Sequence, residues 1–305
     1  MRGVRPGRVD ALSVVLSTAG LLLTVHTVKD AAGHGLAWSQ GATAVVGVGL
    51  LWWFLRRQRG LEHPLLDLSL FRERVFSLAI ATGLLSLFVW SAASYLTGIY
   101  LQSVLGLDVL TAAMLAVPGA LTLTVTCIAT PKFFHRFGKR TALAASHLLV
   151  GTGLALLLPA TTEAGVAWFI ASTVIAGVGY GISFSVVAET AVSAVPKERA
   201  GSAGAIAETS NELGNALGVS LLGSAAALVF RLQGPDVAET LTETLDTPGL
   251  SAAMAEGARK AFLSGMHVAA AIASAASFAV AVLALRWLPK QSEESTRTPV
   301  VEHQN

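Results

Sequence analysis

Residues 261–285 read AFLSGMHVAAAIASAASFAVAVLAL, an apolar run of 25 residues without a lysine or arginine. A helix needs about 20 mostly apolar residues to cross the hydrocarbon core of a bilayer. Seven further runs of this kind precede it, at roughly 11–28, 36–55, 75–99, 111–130, 141–160, 164–188 and 203–230, and all 21 Lys and Arg residues lie outside the eight. Only 13% of the residues are charged, about half the share of an ordinary soluble domain. The expected fold class is an all-α polytopic membrane protein with eight transmembrane helices. Arg2, Arg5 and Arg8 before the first run resemble a signal peptide, but seven spans follow, so a retained signal-anchor helix is expected.

Charge sets the expected topology. With the N-terminus inside, the segments 1–10, 56–74, 131–140, 189–202 and 286–305 are cytoplasmic and hold 17 Lys and Arg, against 4 in the outer segments. That asymmetry follows the positive-inside rule and predicts a cell-membrane, multi-pass protein with both termini cytoplasmic. The segment 231–260 becomes a long, acidic and partly helical outer loop, and 131–140 a basic cytoplasmic loop. The polar tail is expected to be disordered. With charge divided among loops, a net of +2 points to no nucleic-acid partner.

Five short segments recur in a telling order. Residues 63–72 read HPLLDLSLFR, 100–106 YLQSVLG, 117–120 VPGA, 195–203 VPKERAGSA and 208–218 ETSNELGNALG. Together they resemble the fourteen-helix drug:proton antiporter family of the major facilitator superfamily, in its multidrug-exporter type. That family's chain has six helices, two linker helices and six more. The resemblance covers the linker pair and the second six, which implies that the chain begins where the family's chain is nearly half done. It also implies linker helices at 1–60, a cytoplasmic connector at 61–74, a C-terminal six-helix transporter half at 75–288 and a tail at 289–305. The implied function is proton-coupled efflux of drugs or other small molecules. The implied partners are the lipid bilayer, protons, lipophilic or cationic small molecules, and a separate six-helix half or a second copy. Expressed alone, the chain is then expected to give no proton-coupled efflux. A reading from another class is a truncated membrane fragment or scaffold that does not transport.

The candidate site lies in the seventh run. Glu208 and Glu212 are four apart, so a helix places them on one face. A carboxylate within a span is costly unless protonated, paired or watered. Such a group can trade a proton for a cationic drug. In the family, acidic residues at this helix are implicated in that competition. The alternative is a helix start at the interface, where Glu complements the N-terminal dipole. Asn211 and Asn215 either line a cavity or bond a neighbouring helix. Gly214 with Gly218, and Gly177 with Gly181, form small-xxx-small pairs suited to close helix packing and, in a rocking transporter, to bending. Pro118 removes a helix donor and predicts a kink. Gly83, Trp90, Tyr95 and Tyr100 are either lining residues or interfacial anchors, and Trp38, Trp52, Trp53 and Trp287 read as anchors. His26, His147 and His267 read as packing histidines. Glu189 is placed to pair with Lys197 or Arg199. His135 stands where the family's basic loop has an aspartate.

The lone Cys127 excludes a disulfide framework within one chain. No Walker A segment, Ser/His/Asp order, zinc motif or nucleotide fingerprint is found. No cofactor, metal or enzymatic activity is therefore expected.

Overall fold

In the computed structural model, residues 10–34, 38–61, 66, 68–193, 195–196 and 199–287 are described. The tail at 289–305, the arginines Arg2, Arg5 and Arg8, and a Glu189–Lys197 pair lie outside them. Among the described residues the elements are α1 (Ala11–His34), α2 (Trp38–Gln58), a 3-10 turn (Leu68–Arg72), α3 (Arg74–Ile99) and a π-turn (Tyr100–Val104). They continue with α4 (Val109–Ala155), α5 (Val166–Ser193), α6 (Ala200–Gln233), the short α7 (Leu241–Leu245) and α8 (Ala252–Trp287). No strand occurs among the described residues.

Each of the eight apolar runs lies on a helix over most of its described length. Five helical segments are long and apolar enough to cross a membrane: Arg74–Val104, Val109–Lys132, Val166–Ala191, Ala200–Gln233 and Ala252–Trp287. The segment Ala11–Thr27 is apolar but shorter. The segment 231–260 is part helical, as expected: Thr240 caps α7 by accepting from the Glu243 amide, 3.3 Å away.

The segment 131–140 departs from the loop expectation. It is helical, and α4 consists of two limbs that meet at Gly138, where φ 75° and ψ 156° leave the helical region. Only glycine adopts that conformation without steric cost. The backbone stays helical through Pro118 and Pro131, and Thr122 Oγ1 donates to the Pro118 carbonyl at 2.7 Å. The break thus falls at Gly138, not at Pro118. The basic residues of this segment do not dictate a loop.

The turn after α3 is equally specific. Leu105 N–H donates to the Tyr100 carbonyl at 3.0 Å, closing the π-turn. Gly106 follows at φ 69°. Asp108 then caps α4, its Oδ1 accepting from the amides of Leu110 (3.0 Å) and Thr111 (3.1 Å). Hydrogen bonds from Thr111 hold the Asp108 carboxyl below its ordinary value.

The chain divides into two compact units, one of Met1–Tyr95 with Thr190–Gly265, the other of Leu96–Glu189 with Met266–Asn305. In the first, α1 packs on both α2 and α6. A side chain at Gly20 would meet Leu51, and one at Gly47 would meet Thr24. At one end, Arg57 grips Asp10 through two bonds, Nε to Oδ2 at 2.7 Å and a terminal nitrogen to Oδ1 at 3.2 Å. Gln58 donates to Ser13 Oγ at 2.8 Å and accepts from the Leu66 amide at 3.2 Å, tying the hairpin to the connector. Leu70, Phe76, Ile80, Ala191, Ala203 and Ile206 form a buried core beside it. Arg199 donates to Ser69 Oγ at 3.0 Å. The 63–72 and 195–203 motifs are thus structural partners.

The Asp10 carboxyl lies well below its ordinary value of 3.8, at about 2, chiefly because Arg57 and Ser13 donate to it. A lowered folded-state value stabilises the fold above the unfolded value and loses that contribution as pH falls through the folded value. Asp10→Asn is therefore expected to lower the unfolding temperature at pH 5. The gap from the parent should close as pH drops from about 4 toward 2. A gap that persists at pH 2 would show that the clamp is not ionic.

In the second unit, α5 closes on the first limb of α4. A Cβ at Gly177 would lie 2.7 Å from the Gly119 carbonyl oxygen, and one at Gly181 2.6 Å from that of Leu123. Tyr100 is fully buried and donates its hydroxyl to the Thr161 carbonyl at 2.6 Å. It is a packing residue. His267 Nε2 lies 3.1 Å from the Ala160 carbonyl oxygen. His147 is buried, and neither ring nitrogen has a partner among the described residues.

Candidate functional site

The α6 helix begins at Ala200, three residues before the expected span. Glu208 and Glu212 therefore sit roughly 12 and 18 Å along its axis. Alanine, serine and leucine carry the helix onward, with glycine recurring where neighbours press in. Gly214 and Gly218 face α3: side chains there would strike the backbone of Leu84 and Phe88. Ser91 Oγ donates across the same seam to the Asn215 carbonyl at 3.0 Å. The seam presses α6 onto α3 and fixes the rotation of the next face.

That face lines a cavity of about 590 Å³, broadly open to the surface, within the first unit. Its α6 residues are Glu212, Asn215, Ala216, Val219, Ser220, Gly223, Ser224 and Ala227, a strict i, i+3, i+4 register. From Glu212 to Ala227 the stripe covers roughly 22 Å, about two-thirds of a bilayer core. Val25 of α1 and Tyr95 of α3 complete the wall. The lining is mostly apolar, with one carboxylate at one end and one amide and two serines along it. Ala216, Gly223 and Ala227 are small, which is why space remains. Tyr95 reaches toward Gly223, whose Cβ position lies 3.5 Å from the ring.

The expected site residues divide accordingly. Glu212 and Asn215 come together on the cavity. Glu208 is exposed one turn before Glu212 and does not line it. Asn211 is half-buried beside the face. Gly214 and Gly218 serve the α3 seam. Pro118, Gly177 and Gly181 belong to the second unit and serve its packing. Sequence reasoning missed Val25 and six α6 positions, Ala216, Val219, Ser220, Gly223, Ser224 and Ala227. The six α6 positions could have been found by continuing the Glu212 register. Val25 could not, because its place depends on how α1 docks.

An apolar cavity with a single carboxylate suits an amphipathic cation. Among the described residues no three His, Cys, Asp or Glu side chains gather to hold a metal ion.

Residues 5–219 match the family model described as Major Facilitator Superfamily. The chain belongs to the Major Facilitator Superfamily. It is a multi-pass membrane protein of a transporter family rather than an enzyme family. It is 32% identical over 299 residues to the multidrug efflux pump LfrA of Mycolicibacterium smegmatis, covering 92% of this chain and 59% of that one. It is 26% identical over 287 residues to the multidrug resistance protein Stp of Mycobacterium tuberculosis, covering 84% of this chain and 53% of that one. These relatives agree with the resemblance to drug exporters. A solved bacterial homologue of the human lysosomal transporter Spinster aligns at 17% identity with a TM-score of 0.48, covering 92% of this chain and 68% of that one. This superfamily chain spans about half the length of the curated relatives it matches.

Proposed function

We propose that this chain carries the cation- and proton-binding site of an exporter of lipophilic, cationic small molecules. The observation that carries the reading is the continuous α6 face from Glu212 to Ala227 along a cavity of about 590 Å³. A cation and a proton cannot both occupy the Glu212 carboxylate. Arrival of one from one side then drives release of the other. Membership in the superfamily and the printed names of the relatives, a multidrug efflux pump and a multidrug resistance protein, support this reading.

The proposal includes the cell membrane, both termini on the cytoplasmic side and the linear organisation set out above. Its partners are protons and a separate six-helix half or a second copy. Glu208, exposed one turn before the cavity, acts as an attracting charge on the approach path, and Glu208→Gln should weaken cationic probes more than neutral ones. The packing pair Gly214–Gly218, with Asn211, supplies the framework beside the site, and Gly177–Gly181 and Pro118 serve close packing and bending within the second unit.

The reading is tested with tetraphenylphosphonium, a lipophilic monocation, and the purified chain in nanodiscs. Saturable binding above that of empty nanodiscs is expected. Its absence would overturn the reading. Orientation is tested separately by impermeant thiol labelling in a Cys127→Ser background. A cysteine at Asp246 should react from outside intact cells and one at Ser69 should not. The reverse pattern would invert the topology.

A further inference from the structure

We infer that α1 is a fixed wall of the cavity and that Val25 sets the upper size of the cation it admits. The inference rests on the cation-site reading above. Val25 is the α1 side chain that lines the cavity. Across from it α6 presents small residues, Ala216, Ser220 and Gly223, so the width of the space is decided from the α1 and α3 sides. Tyr95 lines it from the α3 side.

A wall selects by size only if it cannot retreat. Three features lock α1 to α2 and the connector, so that α1 cannot retreat within the hairpin. Its Gly20 leaves no room for a Cβ, which would fall 2.9 Å from Leu51 Cγ. Thr24, adjacent to Val25, is pressed by Gly47, whose Cβ position lies 2.8 Å from Thr24 Oγ1 and 3.0 Å from the Thr24 amide nitrogen. At its start, α1 is tied by the two-bond Asp10–Arg57 pair and by Ser13, which Gln58 joins to the connector at Leu66. Interiors packed this closely do not yield a methylene without cost. The hairpin therefore transmits the identity of residue 25 directly into the free width beside α6.

The test pairs a ligand-free measurement with two probes. In a Cys127→Ser background, Val25→Cys with Val219→Cys should join through a short bifunctional thiol reagent in the membrane. Val25→Trp should weaken tetraphenylphosphonium binding at least tenfold while changing binding of the smaller benzyltrimethylammonium less than twofold. Val25→Ala should retain both, which separates loss of space from loss of fold. Failure of the cross-link would show that α1 is not the wall. Equal effects of Val25→Trp on both cations, or no effect on either, would overturn the size role while leaving the cation site standing, provided Glu212→Gln still weakens binding. If the parent chain binds neither cation, the cation-site reading itself fails, and this inference with it.

Discussion

Glu212→Gln is expected to weaken tetraphenylphosphonium binding by at least tenfold and to abolish proton-driven export when a matching six-helix half is supplied, with membrane insertion unchanged. The amide keeps the size and much of the hydrogen bonding of the carboxylate but carries no charge and exchanges no proton. Two unit charges about 4 Å apart attract by roughly 1 kcal/mol in water and roughly 4 at the screening found near a protein surface. Glu212 is exposed at the mouth of the cavity, so the effect belongs nearer the lower figure. A tenfold change in affinity corresponds to about 1.4 kcal/mol. Because Glu208 and Glu212 are four apart on one helix, the double variant should lose less than the sum of the single losses. Binding isotherms of the four chains measure this coupling. Additive losses would mean that the two carboxylates act on the cation independently.

The second large effect concerns the seam that fixes the cavity face. Gly218→Leu should sharply destabilise the first unit, because even a Cβ there strikes the Phe88 carbonyl oxygen and Ser91 Oγ. Overpacking typically costs about 1–3 kcal/mol. Here the obstacle is backbone, which cannot rotate away, so the upper part of that range or beyond is expected. Gly201→Leu on the same helix meets nothing within 4 Å and should change stability little. Thermal unfolding of both variants in one detergent gives the comparison. Equal midpoints would show that α6 does not pack on α3 as described.

Much of this was legible from residue order. Apolar length located the helices, because the bilayer imposes a length that few soluble segments share. The four-residue spacing of Glu208 and Glu212 pointed to one face of α6, but of the two only Glu212 lines the cavity, beside Asn215. The 131–140 segment was misread because a cluster of charges says nothing of backbone conformation. Gly138 carried the signal that mattered, a break between two limbs, and a lone glycine among basic residues does not announce a positive φ. Tyr100 was misread for a related reason. An aromatic residue at a span end resembles an interfacial anchor, and only the Thr161 carbonyl reveals a buried hydroxyl with a partner. The motifs at 63–72 and 195–203 were recognisable as motifs, but their physical purpose, docking the connector on the start of α6, requires contacts across more than a hundred residues of chain. Val25 is the extreme case. Nothing in an apolar helix marks which valine will face a cavity.

The central claim is that one carboxylate on α6 serves both a cation and a proton. Tetraphenylphosphonium affinity measured across a pH series, in the parent chain and in Glu212→Gln, tests it most directly. The parent should bind progressively more weakly as the pH is lowered and protons compete for the site. The glutamine variant should bind weakly and without that dependence. Parent and variant curves that coincide at every pH would contradict the claim.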